Sequence, residues 1–391
     1  MMIFFDTERK KWSGDPLLKG LHFGDMPLSS VGSLGNLLSF SVKVSSDGVK
    51  AGPLVAVLTQ SHRVKPFTGD ERLYFSIHAS LQKAGGVLAI VPMSCIGNDF
   101  QMTGFIFDPH NRQWVQAPVG KPDVIYNRIP YRKQEKLESF LRVKEAAARD
   151  NIPFLNPGFL SKKRIWRLLS ADKELAHSLP DTEELSSFKQ LINWVNRHPQ
   201  SLIKDSSGSK GEGIYRLAAE NEHSYLLSAQ TKITPPLSIE SVWKLLRPLL
   251  IKRTLLLQEQ IDLTHWNGRP YDFRVLLHKI KNIWECSGAG IRAAGDNRYT
   301  THSLYGGSLL DPVEMEIDTQ PVQNLAKHTA SLLPDSFFEV SMDIGCSTAG
   351  QLYVFDINSK PMVFDEPSIQ KAGAENLVRI FHELTRFSQP L

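Results

Sequence analysis

The stretch from residue 53 to residue 92 constrains the fold most. PLVAVLTQ (53–60) and VLAIVP (87–92) are short, nearly all-apolar runs. Runs without polar alternation predict strands covered on both faces. Between them, RLYFSIHASLQKAG has helical spacing and closes on Gly85 and Gly86, a helix C-cap signal. Strand, helix, strand is the pattern of a parallel βαβ unit, so an α/β domain is expected to start near residue 52. DVIYNRIP (123–130) predicts a further strand, and YRKQEKLESFLRVKEAAARD (131–150) a charged helix that closes the domain by residue 155.

The remainder has a different rhythm. SLIKD (201–205), GIYRL (213–217), TLLLQEQI (254–261), YDFRVLLHKI (271–280), IWECSGAGIRAA (283–294), FFEVSMDIG (337–345) and LYVFDINSK (352–360) all read as strands. SKKRIWRLLSADKEL (161–175) reads as a helix, and LPDTEEL (179–185) as a turn feeding another. AENLVRIFHELTRF (374–387) is an amphipathic closing helix with Leu377, Ile380, Phe381 and Leu384 on one face. Strands in succession with few helices predict an α+β region from 156 to 391. Residues 1–51 are poorly patterned; SFSVKV is strand-like, and the segment is expected to be β-rich, with no role legible.

Composition excludes several function classes. The 391 residues are 41% apolar and 22% charged, as in an ordinary globular chain, and the net charge of +4 is not gathered into a basic run. Nucleic-acid binding therefore has little support. Cys95, Cys286 and Cys346 are isolated, which argues against a disulfide framework or a zinc site and for a reducing compartment. The N-terminus is too short in apolar residues for a signal-peptide core, and no apolar run approaches a membrane span. A cytoplasmic protein is expected. FHELT (381–385) lacks the second histidine of a zinc-protease helix and reads as a helix face. No GxSxG motif or paired Cys and His marks a protein nucleophile.

Alternation sorts the chemistry by face. In YDFRVLLHKI, Asp272 and Arg274 share one face. In LYVFDINSK, Asp356 and Asn358 are expected to share a face with Leu352 and Val354, with Tyr353, Phe355 and Ile357 opposite. Asp343 lies on the face of Glu339 and Ser341. Carboxylates in apolar strands cost desolvation energy unless paired or bound to a cation. One reading is a set of structural ion pairs. The other is a magnesium site, since oxygen-only ligands favour Mg²⁺ over zinc.

SLIKDSSGSKGEGIYRL (201–217) places three glycines and three serines between two strands. It is either a hairpin tip or a loop whose backbone N–H groups lie across phosphates, with Lys204 adding a point charge. It is neither a Walker A loop nor a dinucleotide fingerprint, because no GK[ST] occurs and a strand follows.

The order of these parts resembles the ATP-grasp superfamily, in which two lobes clasp a nucleotide. FLNPGFLSKKRIWRLLSADKELAHSLPDT, LLLQEQIDLTHWNGRPYDFRVLLHK, GAGIRAAGDNRYTTHSLYGGS and VIYNRIPYR are similar to the YheC/YheD family of spore-coat-associated ATP-grasp proteins, over roughly residues 53–385. The resemblance implies an ATP-grasp domain at 156–391, with lobe 1 at about 156–257, a hinge at 258–261 and lobe 2 at about 262–391. It implies that Lys162 rather than Lys163, together with Lys204, meets the phosphates, and that Gly208, Ser209, Gly211 and Gly213 form a lid over them. Gln258, Glu259 and Ile261 would meet adenine. Arg274 and Arg292 would face the transferring phosphoryl group. Asp343, Asp356 and Asn358 would hold two Mg²⁺ ions, with Mn²⁺ as an alternative. Asp356 departs from the superfamily's usual Glu, and SLYGG departs from the family pattern around His302 and Tyr305.

The implied activity is an ATP-dependent carboxylate–amine ligase working through an acyl phosphate. Its partners would be ATP, a small carboxylate and an amine such as an amino acid or peptide, with spore-coat proteins as associates. A nucleotide-binding scaffold and a kinase-like phosphotransferase are the other two classes.

Overall fold

A computed structural model describes residues 1–30, 36–97, 100–208, 213–229, 232–295, 307–312 and 314–387, with backbone alone described at 232. The first large sheet has six strands, in the order Gln113–Pro118, Thr103–Asp108, Val87–Pro92, Leu54–Thr59, Val124–Asn127, Phe154–Leu155. Leu54–Thr59 pairs in parallel with both Val87–Pro92 and Val124–Asn127, as the βαβ pattern requires. The intervening helix runs Glu71–Ala84, capped by the Asp70 side chain at its start and by Gly85, at φ +82°, at its end. The sheet is mixed rather than purely parallel. Thr103–Asp108 and Gln113–Pro118 form a hairpin added antiparallel to the Val87–Pro92 edge.

Both faces of this sheet are covered, by elements far apart in the chain. On one side Leu54, Ala56 and Leu58 pack with Ile3, Phe5, Trp12, Phe23 and Phe40. Those aromatics come from two small four-stranded sheets built by residues 2–52. The N-terminal segment thus shares a core with the α/β sheet, and Trp12 Nε1 donates to the Pro118 carbonyl (2.8 Å). On the other side Val55 and Val57 pack with the Glu71–Ala84 helix and with Leu377, Ile380 and Phe381 of the last helix, Pro367–Leu384. The amphipathic face read from the sequence is buried, and it joins the C-terminus to the first sheet.

The next sheet is antiparallel, in the order Thr182–Glu184, Leu255–Glu259, Gln200–Asp205, Ile214–Asn221, Ser224–Ala229, Lys232–Ile233. Helices Phe188–Arg197 and Ile239–Leu250 bury its Ile203, Leu217, Leu255 and Leu257 face. Thr182–Glu184, expected to be a turn, is an edge strand held by pairing with Leu256–Gln258. Three residues are too few for alternation to show. Asp205 N donates to the Gly213 carbonyl (2.9 Å) and Gly208 N to the Asp205 carbonyl (3.0 Å), which places the base of the glycine loop. Ser209, Lys210 and Gly211 lie outside the described residues, as do His302 and Tyr305.

The last large sheet runs Ser308–Leu310, Ile283–Ala293, Arg269–Ile280, Glu339–Cys346, Leu352–Asn358, all antiparallel. One face carries Phe273, Val275, Ile291, Met342 and Ile344 into a core shared with Val322, Ala326 and Ala330 of the Gln320–Ser331 helix. The Lys162–Leu169 helix, shorter than the 161–175 expected, adds Ile165 and Leu169 to the same core. Among the described residues no helix is long and apolar enough to cross a membrane.

Candidate active site

Register places the polar face of the last sheet. Gly290 is directly opposite Arg274, Arg274 opposite Asp343, and Asp343 opposite Asp356, so one cross-strand row holds all four. Arg292 is two residues along from Gly290, and Asn358 lies two along from Asp356, opposite Ser341. Arg274 Nε is 3.9 Å from Asp343 Oδ1. Arg274 and Arg292 are each only 5% exposed, and both stack on the Phe364 ring, at 5.6 and 5.7 Å from its centroid. Arg274, Arg292, Asp343, Asp356 and Asn358, drawn from four strands, therefore share one face.

The same register corrects the alternation read from LYVFDINSK. Asp343 pairs with Asp356 but Ile344 pairs with Val354, so Phe355 is an extra residue in a β-bulge. The bulge reverses the phase of the strand. Val354 and Ile357 both belong to the core, 5% and 6% exposed, while Tyr353, opposite Gly345, falls on the face of Asp356 and Asn358. Phe355 does not point into the core. It lines the cleft beside Asp356 and lies against Gly345 and Leu263.

A cavity between the two antiparallel sheets brings together Lys162, Lys204 and Asp356. Thr182, Gln258 and Leu256 line it from the second sheet, and Ile165, Trp166, Leu179 and Phe355 give it apolar walls. Lys162, in the first turn of its helix, ion-pairs with Asp356. Lys163 instead pairs with Glu184 at 2.7 Å and is not among the cavity's walls. Lys204 is buried and donates to Gln258 Oε1, whose Nε2 donates to Thr182 Oγ1 (3.1 Å). Glu259 and Ile261 do not line the cavity, and the Glu259 N–H is spent on the Asp181 carbonyl (2.9 Å).

Electrostatics follow from this crowding. Burial, reinforced by the Lys162 charge, pulls the Lys204 ammonium down to about 8. Burial pushes the Asp356 carboxyl up, but Lys162 and Lys204 outweigh it and hold the acid below its ordinary value. Burial and the neighbouring Arg274 lower Arg292.

The donor set suits magnesium. Asp343 and Asp356 face each other across adjacent strands, Asn358 follows one pleat on, and all offer oxygen alone. Among the described residues no three His, Cys, Asp or Glu side chains cluster, so an Mg²⁺ ion here would need further oxygen ligands from outside this set.

Sequence reasoning missed Thr182, Phe355, Phe364 and Glu366. Thr182 and Phe355 depend on an edge pairing and a bulge, neither of which has a local signal. Glu366 has a faint one: an acid just before Pro367 at the start of a helix, after the apolar MVF.

The chain is similar to the endospore coat-associated protein YheD of Bacillus subtilis, 26% identical over 365 residues that cover 87% of this chain and 80% of that protein. It is 20% identical to the endospore coat-associated protein YheC of the same organism over 295 residues, 70% of this chain and 80% of that one. In fold it is similar to D-alanyl-alanine synthetase A from Vibrio cholerae, with a TM-score of 0.52 at 11% identity, covering 85% of this chain and 98% of that one. The D-alanine-D-alanine ligase from Coxiella burnetii gives 0.50 at 9%, covering 85% and 95%. The sequence pattern of the YheC/D-like ATP-grasp proteins matches residues 151–387, which contain both lysines, the arginine pair and the acid–acid–amide set. The fold is that of an ATP-grasp protein, and the chain belongs to the YheC/D-like ATP-grasp family.

Proposed function

We propose that the protein is an ATP-dependent carboxylate–amine ligase that forms an amide through an acyl phosphate. The observation that supports this most is the meeting of Lys162 and Lys204, from separate segments, with Asp356 in one cavity. In this reading Lys162 and Lys204 neutralise the nucleotide's phosphates, and Gly208, Ser209, Gly211 and Gly213 lie over them. The apolar walls around Ile165, Trp166 and Phe355 take the base, with Gln258 along its edge; Glu259 and Ile261, expected there from the resemblance, stand outside this cavity. Mg²⁺, when held by Asp343, Asp356 and Asn358, supplies positive charge against the phosphate oxygens. Arg274 and Arg292 face the phosphoryl group as it passes to the substrate carboxylate, and their burial strengthens that attraction. An amine then displaces phosphate from the acyl carbon. The proteins named for spore-coat association suggest that this chain works on or beside a spore.

A screen of amino acids and small carboxylates for ATP-dependent phosphate release tests the reading. Release that requires both a carboxylate and an amine supports it. Release with no amine requirement points to a phosphotransferase, and nucleotide binding without any release points to a scaffold.

A further inference from the structure

Beside the catalytic row stands a carboxylate that the proposed ligase chemistry has not used. Glu366 occupies the N-cap position of the Pro367–Leu384 helix without a side-chain capping bond, and its side chain lies over Gly290. A Cβ built on Gly290 would sit 1.9 Å from Glu366 Oε1, so glycine is what admits the carboxylate at this point. Gly290 is the residue directly opposite Arg274. Glu366 therefore stands at one end of the row, and Asp343 and Asp356 stand at the other.

Both Glu366 oxygens are buried and have no hydrogen-bond partner among the described residues. The Nε atoms of Arg274 and Arg292 are also buried and unpartnered there, and no ion pair within 4 Å joins Glu366 to either arginine. Arg274 keeps Asp343 at 3.9 Å and the Glu366 charge acts on Arg292 through space, so what these groups lack is hydrogen bonds, and buried polar atoms without them are costly. Groups held apart in this way are arranged for a ligand that comes between them.

The sign and position of Glu366 select that ligand. We propose that Glu366 is the binding site for the ammonium group of the acceptor, so that the amine substrate is a primary amine, entering charged, from the Gly290 side of the row. This inference rests on the ligase reading. Neighbouring strands lie about 4.8 Å apart, which puts Glu366 roughly two strand spacings from Asp343. A phosphoryl group held between Asp343 and Arg274 then has the substrate carboxylate on its far side and Glu366 beyond that; Glu366 holds the ammonium and takes its proton, and the freed amine attacks the acyl carbon as phosphate leaves. The guanidiniums of Arg274 and Arg292 repel a divalent metal about twice as strongly as a monocation, and a single carboxylate neutralises only the latter. A monocation neutralised by that carboxylate fits.

Ligand-observed NMR titrations on the full chain with saturating Mg–ADP test the assignment. The probes are glycinamide, an ammonium without a carboxylate, and acetate, a carboxylate without an ammonium. Glu366→Gln keeps the shape and removes the charge; Glu366→Asp keeps the charge on a shorter arm. The expected result is glycinamide binding weakened at least tenfold in Glu366→Gln and less in Glu366→Asp. Acetate binding should change less than twofold, and thermal stabilisation by Mg–ADP should be retained in both. Glycinamide binding unchanged in Glu366→Gln would overturn the proposal, as would its absence in the wild type. Tighter acetate binding in Glu366→Gln with no effect on glycinamide would also overturn it, by making Glu366 a counter-ion to the arginines. Failure of Mg–ADP to stabilise the wild type is read separately, and contradicts the nucleotide reading itself.

Discussion

The Lys162 ammonium and the Asp356 carboxylate, 194 residues apart in the chain, form an ion pair in the cleft. The cation expected to meet phosphate and the acid expected to meet magnesium thus neutralise each other when neither ligand is present. In the proposed reading, Mg–ATP binding is an exchange of partners, Lys162 passing to phosphate and Asp356 to the metal. The pairing also removes the carboxylate repulsion that an isolated Asp343–Asp356 pair would suffer, so deleting the acid should not stabilise the ligand-free protein.

Asp356→Ala should leave the fold intact. The pair is mostly buried, and its loss leaves Lys162 and Lys204 without their counter-charge, so the cost should be on the order of 1–3 kcal/mol. Stabilisation by Mg–ATP should fall sharply, because that gain follows the ratio of ligand concentration to Kd. A thermal-shift series with and without Mg–ATP checks both effects. Unfolding of Asp356→Ala, with a full nucleotide response in whatever remains folded, would make Asp356 a structural residue.

The bulge at Phe355 separates two neighbours that simple alternation puts together. Ile357→Ala opens a cavity in the core and should cost about 2–5 kcal/mol in urea unfolding, and because Ile357 also borders the cleft, some loss of nucleotide affinity should accompany it. Phe355→Ala removes a cleft wall and should act mainly on binding, weakening Mg–ATP by roughly 0.5–1.5 kcal/mol, the scale of one aromatic contact. Equal loss of stability in both variants would count against the bulge.

Lys204 gives a proton-linked signature. Its buried ammonium titrates at about 8 in the folded chain, below its ordinary 10.5. Between those values the unfolded chain holds more protons than the folded one, so this group makes stability rise with pH across that window. Phosphate favours the charged form. Mg–ATP binding at pH 8.5 should therefore take up a substantial fraction of one proton, and affinity should decline as pH rises further. Calorimetry in two buffers of different ionisation enthalpy measures the uptake, and Lys204→Met should abolish it.

A buried polar network ties the first sheet to the last. Glu339 accepts from Tyr126 Oη (2.5 Å) and from Arg128 Nη1 (3.3 Å), and His278 Nε2 lies 3.4 Å away. Burial pushes Glu339 up, but His278, Arg128 and Tyr126 together hold its carboxyl below the ordinary value. Arg128→Met leaves that carboxylate buried without its cation, and should cost about 3–5 kcal/mol in denaturant unfolding. Pairing the change with Glu339→Gln should recover much of the loss.

Much of this was legible in the sequence because it rests on local signals. The βαβ runs at 53–92, the strand–glycine–strand at 201–217 and the acids in 337–358 depend on periodicity and composition, which a single chain displays. What was hidden depends on partners distant in the chain. Phe5, Trp12, Phe23 and Phe40 follow no regular period, since they come from short strands of two small sheets and become a layer only against Leu54 and Ala56. The Phe355 bulge exists only relative to the Glu339–Cys346 strand, and Glu366 gains its setting from a glycine 76 positions earlier in the chain.

The central claim is that this cleft activates a carboxylate with ATP. Hydroxylamine intercepts acyl phosphates as hydroxamates whatever the natural acceptor is. The decisive measurement incubates the full-length protein with Mg–ATP, hydroxylamine and a pool of amino acids and small carboxylates, and quantifies nucleotide products and hydroxamate together. The expected result is ADP, phosphate and hydroxamate in equal amounts, and none of them above background with Asp356→Ala. Formation of AMP and pyrophosphate, or of ADP with no hydroxamate from any acid in the pool, would contradict it.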